Sequence, residues 1–478
     1  MSVDNIRRLA QLPVTRKQLL SLAAVAGLGG AALPASAPVN AAAERSTVIR
    51  GGYLITMDSS LGSIARGDVL IIGSTIVGVG PNLSVPSGTE VIDASGMIVM
   101  PGLIDNHRHM WESLIRGRSV NSTFGQYFTD VPFGVSTRLT ADDVYYGTLL
   151  GAYEAIDSGI TTVLDWAHGT NTRAHALAGI RALTDSGIRA VYAYGPPASA
   201  TAADSPPSTD DILAAKALTD NAPMVGLAIG TRNPETATAQ VWQRIQQDIR
   251  LAQQLGVPVT LHAGLQPVAT YAPRMLDSVG LLNGNVTFIH GNLFTSADLA
   301  LIKSRGAHLT ASPLVEMQMV GPDILPASVA AGIRPAVSAD IVAASTGDLL
   351  DNLRASIASH RMLAQQAALK AGTTLSTLPP PGLRDVLSYV TTNPAAALGI
   401  TWQVGSLSPG KQADVIVIDS TDLNLFLTDP RDAVVHAAHP GNISWVFVAG
   451  EVRKRAGELV ADLTTLRANA KAARDRLG

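Results

Sequence analysis

The chain of 478 residues contains no cysteine. That absence excludes a disulfide framework, thiolate metal sites and a cysteine nucleophile together, so a bound metal would have to sit on histidine and carboxylate. Aromatic residues make up only 4% of the sequence, the formal net charge is -3, and no basic run follows the first twenty residues. The electrostatic and stacking footprint of a nucleic-acid binder is therefore missing. A Gly-x-x-x-x-Gly-Lys-Ser/Thr phosphate loop and a Gly-x-Ser-x-Gly nucleophile elbow are also absent, which sets aside the nucleotide-dependent and serine-hydrolase mechanisms that those motifs support. The apolar stretch from Leu19 to Leu33 is too short and too glycine-rich for a membrane span. What these absences leave is a small-molecule substrate, with no nucleic acid and no stable membrane insertion. A homo-oligomer is compatible with the composition.

With 46% hydrophobic residues the chain can bury more than one core. Residues 1–43 read as an address rather than as fold. Arg7-Arg8 and Arg16-Lys17 precede the apolar stretch, and Thr15-Arg16-Lys17-Gln18-Leu19-Leu20 resembles a twin-arginine export signal with Lys for the second Arg. Ala41-Ala42-Ala43 before Glu44 offers the small residues that a signal peptidase needs. The expectation is cleavage after Ala43 and a periplasmic or extracellular protein; the alternative is an N-terminal extension of a cytoplasmic enzyme.

Short β-rich runs punctuated by turn residues occupy residues 44–98 and recur in 402–478, at Ala413 to Ile418 and Ile443 to Val448. The two stretches predict one small β domain, a β-sandwich, built from both chain ends, with a C-terminal helix added. Between them, in residues 99–401, strand-like and helical segments alternate at the spacing of βα units. Eight strands are predicted: Met97 to Asp105, Thr161 to Asp165, Ala190 to Tyr194, Val225 to Ile229, Val257 to His262, Val286 to His290, Ala307 to Ala311 and Arg334 to Asp340. Five of them end in His or Asp, for which a buried apolar strand has no structural need. A barrel gathers its strand ends around one mouth whereas an open sheet spreads them out, so the α/β fold predicted is a (β/α)8 TIM barrel.

The motif Pro101-Gly102-Leu103-Ile104-Asp105-Asn106-His107-Arg108-His109 places two imidazoles two residues apart on a strand, hence on the same side. Such a pair at a barrel mouth is a ready-made half of a zinc, iron or cobalt site. His262, His290 and Asp340 each close an apolar run at the same end. Singly, each reads equally well as a hydrogen-bonded structural residue; together they predict a site. The second strand ends in Asp165-Trp166-Ala167-His168, and Trp111, Glu112 and Arg116 follow the first. From these, Trp111, Asp165 and His168 are the expected substrate contacts.

With the helix motif Asn393-Pro394-Ala395-Ala396-Ala397-Leu398-Gly399 and the return Gly405 to Asp414, these motifs make the chain resemble the amidohydrolase superfamily, in the branch of cytosine deaminases and triazine hydrolases. The resemblance covers nearly all of the chain after residue 43. It implies one divalent metal ion per chain, zinc or iron, on His107, His109, His262 and Asp340, with His290 polarising the substrate and Asp340 moving the proton. No lysine ends the fourth strand, where two-metal relatives carry a carbamylated one. The implied reaction is hydrolysis of a non-peptide carbon-nitrogen bond in a small cyclic or heteroaromatic compound. Alternatives are deamination or dehalogenation of such a ring, a metal-assisted lyase, and a non-catalytic binding protein on the same fold.

One departure bears on that choice. Aromatic deaminases of this branch carry Glu three residues after the fifth-strand His, and here Leu265 occupies that position. Glu316, after the seventh strand, is the candidate for a replacement acid, set against a solvated loop glutamate.

Overall fold

The computed structural model describes residues 45–198, 200, 202–265 and 271–478, so the expected export signal lies outside the described residues. Two sheets organise the described chain. One holds eight parallel strands in sequence order: Leu103–Arg108, Ile160–Ala167, Arg189–Tyr194, Val225–Gly230, Val259–Ala263, Val286–His290, His308–Ala311 and Ala336–Val337. Helices cover their outer side, which is why the strands are written as near-continuous apolar runs rather than alternating ones. The eighth strand returns to the first through a parallel bridge between Arg108 and Asp340. There the Asp340 N–H donates to the His107 carbonyl at 3.1 Å and the His109 N–H donates to the Asp340 carbonyl at 2.9 Å. Last strand meeting first makes this a barrel and excludes a doubly wound sheet.

Local sequence sets the helices that follow the strands. Thr140 with Asp143, Ser208 with Asp211 and Thr295 with Asp298 form reciprocal capping boxes at helix starts, satisfying N–H groups that the first turn leaves unpaired. Ser296–Arg305 stops at Gly306, whose φ of +68° closes the helix in a left-handed turn.

The structure redraws two expected strands. Met97 to Asp105 is not one strand: Met97–Pro101 pairs with Val415–Asp419 in the small sheet, and the barrel strand begins at Leu103. Between them, a Cβ on Gly102 would lie 2.1 Å from Thr161 Oγ1, so the chain crosses between sheets where no side chain fits. Continuous hydropathy hides that crossing, and the boundary of the small domain moves from residue 98 to Pro101. The eighth strand, expected over Arg334 to Asp340, pairs only at Ala336–Val337 before Asp340 rejoins at the mouth.

The small domain is built from both chain ends, as expected, and its strands are hydrogen-bonded into one nine-stranded order. Glu451–Arg455, Ile443–Val448 and Val415–Asp419 lead through Met97–Pro101 to Ser46–Ile55, Ser63–Ile72 and Thr75–Gly80. Ile49, Val69, Ile76, Val415 and Phe447, from both ends of that order, share one buried apolar cluster. Arg189 of the barrel donates to both carboxylate oxygens of Asp414 at 3.1 and 2.9 Å, a buried bidentate tie between the two sheets. The C-terminal helix Thr464–Leu477 packs on the barrel helix Ala141–Asp157 rather than on the sheet. Among the described residues no helix is long and apolar enough to cross a membrane.

Candidate metal centre and cavity

Strand alternation places the His107 and His109 rings side by side, with centroids 4.9 Å apart. His262 lies 4.9 Å from His107, and His290 stacks against His262 at 5.5 Å. Asp340 closes the group: Oδ1 is 3.1 Å from His107 Nε2 and 3.5 Å from His109 Nε2, and Oδ2 is 3.9 Å from His290 Nε2. The ligand atoms of His107, His262 and His290 lie within 4.8 Å of one another, as do those of His107, His109 and Asp340. All five strand-end groups therefore meet at one point of the barrel mouth.

Backbone strain marks the same point. His290 at φ +74° and Asp340 at φ +60° occupy the left-handed region, which costs a residue with a side chain about 1–2 kcal/mol. Their neighbours hold them there: Asp340 through the barrel-closing bridge, His290 through Glu316.

Hydrogen bonds define the protonation pattern. His109 Nδ1 lies 2.7 Å from the Trp166 carbonyl; a carbonyl only accepts, so Nδ1 carries the hydrogen and the neutral ring presents a lone pair at Nε2. That lone pair faces the Asp340 carboxylate, acceptor to acceptor. Burial, reinforced by the neighbouring imidazoles, pushes the pKa values of His107, His109 and His262 well below the ordinary histidine value, so these rings stay neutral. Burial likewise pushes Asp340 up, against the opposing pull of His290 and His168. Three imidazoles held below their ordinary pKa and a carboxylate meet at one point, and this donor set fits a divalent cation such as zinc or iron. The fourth strand ends in Gly230, so no lysine joins the group.

Glu316 is not a solvated loop residue. It sits on the short helix Pro313–Met319 and is fully buried. Its Oε1 accepts from His290 Nδ1 at 3.0 Å and from the Ser312 N–H at 2.7 Å, and Oε2 accepts from Asn292 Nδ2 at 3.1 Å. Both oxygens are engaged, so the carboxylate acts on His290. Burial opposes a charge on His290, yet the hydrogen bond from Glu316 and the charges of Asp340 and Glu316 outweigh it and raise the pKa of that ring.

Of the three expected substrate contacts, one faces the cavity. His168 lines it, with its ring 3.9 Å from that of His109 and Nε2 3.4 Å from Glu112 Oε1. Trp111 does not: the turn Met110–Ile115 carries it into the barrel wall, where it is 1% exposed and packs 5.6 Å behind His168. Asp165 is also withdrawn, its Oδ1 accepting the Met110 N–H at 3.2 Å to pin that turn, and burial pushes its carboxyl up to about 7. Trp166, which the sequence places at the same strand end as an aromatic wall, does line the cavity: its ring stands 4.5 Å from His262 and its carbonyl orients His109. Sequence reasoning missed the helix Phe124–Asp130, although the Thr123-x-x-Gln126 capping box announces its start. That helix brings Phe124, Tyr127 and Phe128 to the cavity, and the Tyr127 hydroxyl donates to the buried Glu112 at 2.7 Å. The cavity above the metal centre measures about 550 Å3, and Leu265 lies in its wall.

Comparison with known proteins agrees with this architecture. The sequence profile described as the amidohydrolase family matches residues 98–453. A 5-methylthioadenosine/S-adenosylhomocysteine deaminase of Pyrococcus furiosus is 27% identical over 433 residues, covering 86% of this chain and 96% of that protein. A 5'-deoxyadenosine deaminase of Methanosarcina mazei is 24% identical over 424 residues, covering 85% and 92%. Among solved structures, a zinc-bound adenosine deaminase from Xanthomonas campestris superposes with a TM-score of 0.78 at 23% identity, covering 91% of this chain and 98% of that one. An atrazine chlorohydrolase from Arthrobacter aurescens, complexed with zinc, gives 0.72 at 24% identity, covering 90% and 100%.

Proposed function

The chain belongs to the amidohydrolase family, and on that footing we propose that it is a metal-dependent hydrolase that breaks a non-peptide carbon-nitrogen bond in a small cyclic or heteroaromatic compound. The observation that carries this reading is the convergence of His107, His109 and Asp340, with His262 and His290 alongside. One ion, zinc or iron, on His107, His109, His262 and Asp340 would lower the pKa of a bound water from ~16 towards ~7. The two structural neighbours described above both hold zinc.

The chain's own groups take the remaining roles. Asp340, facing three imidazoles at the bottom of the cavity, receives a proton from the attacking water and delivers it to the departing nitrogen. The water oxygen joins the substrate carbon, the carbon-nitrogen bond breaks, and the nitrogen leaves with that proton. His290 presents Nε2 to the substrate and polarises the atom that gains negative charge. Glu316 holds His290 in that orientation. The similarity to deaminases supports a second reading, loss of an exocyclic amino group as ammonia, although Leu265 leaves no acid three residues after His262.

Turnover of a panel of ring amides, aminopurines, aminopyrimidines and chlorotriazines by zinc-loaded protein in oxygen-18 water tests the reading. The expected product of the ring amides carries one heavy oxygen. Product without it would indicate a lyase, and a fully metal-loaded protein that only binds the panel would indicate a binding protein. We further propose export by the twin-arginine-like segment of residues 1–43. Mass spectrometry of the mature chain from its native host would then find Glu44 at the terminus, and an intact Met1 terminus would overturn this.

A further inference from the structure

The cavity above the metal centre is polar at one pole and apolar on its walls. Histidines and Asp340 form the pole; Phe124, Phe128, Phe133, Leu265, Met319 and Val320 form much of the wall. Phe128 stands 4.7 Å from Phe124 and 6.2 Å from Phe133, a continuous aromatic surface reaching the rim. Phe133 itself is 53% exposed. Aromatic side chains left facing an open cavity mark a binding surface for apolar groups. A volume of about 550 Å3 lies within the range of about 300–1,000 Å3 typical of pockets for drug-sized ligands.

The carboxylates of this wall are already committed, whereas Arg232, which donates through Nη2 to the Ser205 carbonyl at 2.6 Å and lies 3.6 Å from Asp248, keeps Nε and Nη1 without a hydrogen-bond partner. Asp340 faces the histidines, and Glu316 is bound to His290, Ser312 and Asn292. Of the polar wall residues, Asn233 Oδ1 accepts the Glu235 N–H, Thr238 caps the helix Ala239–Leu255 and the Tyr127 hydroxyl donates to Glu112, while Trp166 Nε1 has no partner. A sugar diol needs acceptors for its two hydroxyls, and among the described residues lining the cavity no carboxylate is free to supply them.

We infer that the substrate is a ring compound bearing a lipophilic alkyl or aryl substituent, and not a nucleoside. This rests on the hydrolytic reading above: the scissile bond lies at the metal pole and the substituent lies along the Phe124–Phe128–Phe133 wall. Hydrolysis leaves the substituent unchanged, so its contribution is to binding and alignment.

A homologous series decides it. Zinc-loaded enzyme is assayed on a ring amide with hydrogen, methyl, propyl, pentyl and phenyl substituents, and on adenosine and 5'-deoxyadenosine. Binding of the same compounds is followed by the fluorescence of Trp166 and the other tryptophans. We expect kcat/KM to rise about fourfold per methylene, the factor corresponding to ~0.8 kcal/mol, with the nucleosides at least tenfold below the phenyl compound. Phe133→Asp should flatten the alkyl series, and Phe133→Leu should keep it. Because Phe133 is half exposed, both variants can fold. A flat series with turnover retained overturns this inference and leaves the hydrolytic reading standing, and so does preference for the nucleosides. If no compound is hydrolysed but binding still rises along the series and falls in Phe133→Asp, this inference stands and the hydrolytic reading fails.

Discussion

Glu316 Oε1 lies 3.0 Å from His290 Nδ1, and both residues are buried. The bond leaves Nε2 of His290 as the atom turned towards Asp340 and the metal site. A carboxylate behind an imidazole fixes its tautomer and raises its basicity. Glu316 is thus placed to position His290 rather than to reach a substrate ring.

Glu316→Gln is therefore expected to lower kcat by about 10–100-fold with bound metal unchanged. Because the hydrogen bond and charge of Glu316 raise the pKa of His290, the variant should also move the limb of kcat/KM that reports His290 to lower pH. A loss of about 10²–10⁴-fold with that limb unmoved would instead mark Glu316 as the proton donor itself.

Removing the metal should abolish turnover. Metal analysis is expected to find about one ion per chain; a chelator should strip it with loss of activity, and zinc should restore both. Asp340→Asn, assayed at saturating zinc, should lose about 10²–10⁴-fold in kcat, the usual contribution of a group that carries the proton. Full activity in the stripped protein, or in Asp340→Asn, would rule out the role given to this centre.

The barrel and its five strand-end His and Asp groups were legible because each depends on local pattern: buried parallel strands read as apolar runs, and a His or Asp that ends one stands out. The crossing at Gly102 was not legible, since two strands of different sheets abut without a polar break. Nor was the withdrawal of Trp111 and Asp165. Trp111 follows the first strand at the active face and Asp165 lies near the end of the second, and the turn Met110–Ile115, which carries Trp111 into the wall, is what the Asp165 carboxylate is spent on holding. Glu316 was found by its place after the seventh strand, but its partner His290 lies 26 residues away, a distance that only tertiary structure closes.

Asp323 offers a pH-dependent test of packing around Glu316. Burial, with the charge of Glu316 adding to it, raises this carboxyl from 3.8 to about 7. Between those values the folded chain binds a proton that the unfolded chain releases. Stability contributed by this group is therefore full below about pH 4 and falls as pH rises through about 7. Asp323→Asn retains an oxygen for the Leu325 N–H, which Asp323 accepts at 3.1 Å. Its Tm is expected to exceed the parent's by a few degrees at pH 8, with the gain vanishing near pH 4. Equal melting curves at pH 8 would show that the buried carboxylate carries no such penalty.

Leu265→Glu tests whether a missing acid separates this chain from a deaminase. Leu265 lies in the cavity wall, three residues after His262. A carboxyl introduced among Phe124, Phe128 and Met319 would be held protonated by its apolar surroundings, the state in which it can donate to a ring nitrogen. Release of ammonia from aminopyrimidines or aminopurines should rise by about 10²-fold or more, the low end of what one positioned acid supplies. The same change should weaken use of compounds with apolar substituents, because it places a polar group in the wall that receives them. If ammonia release stays at the parent level while the variant folds and holds its metal, the absent acid is not what limits deamination. Discrimination would then lie in how the cavity orients the ring.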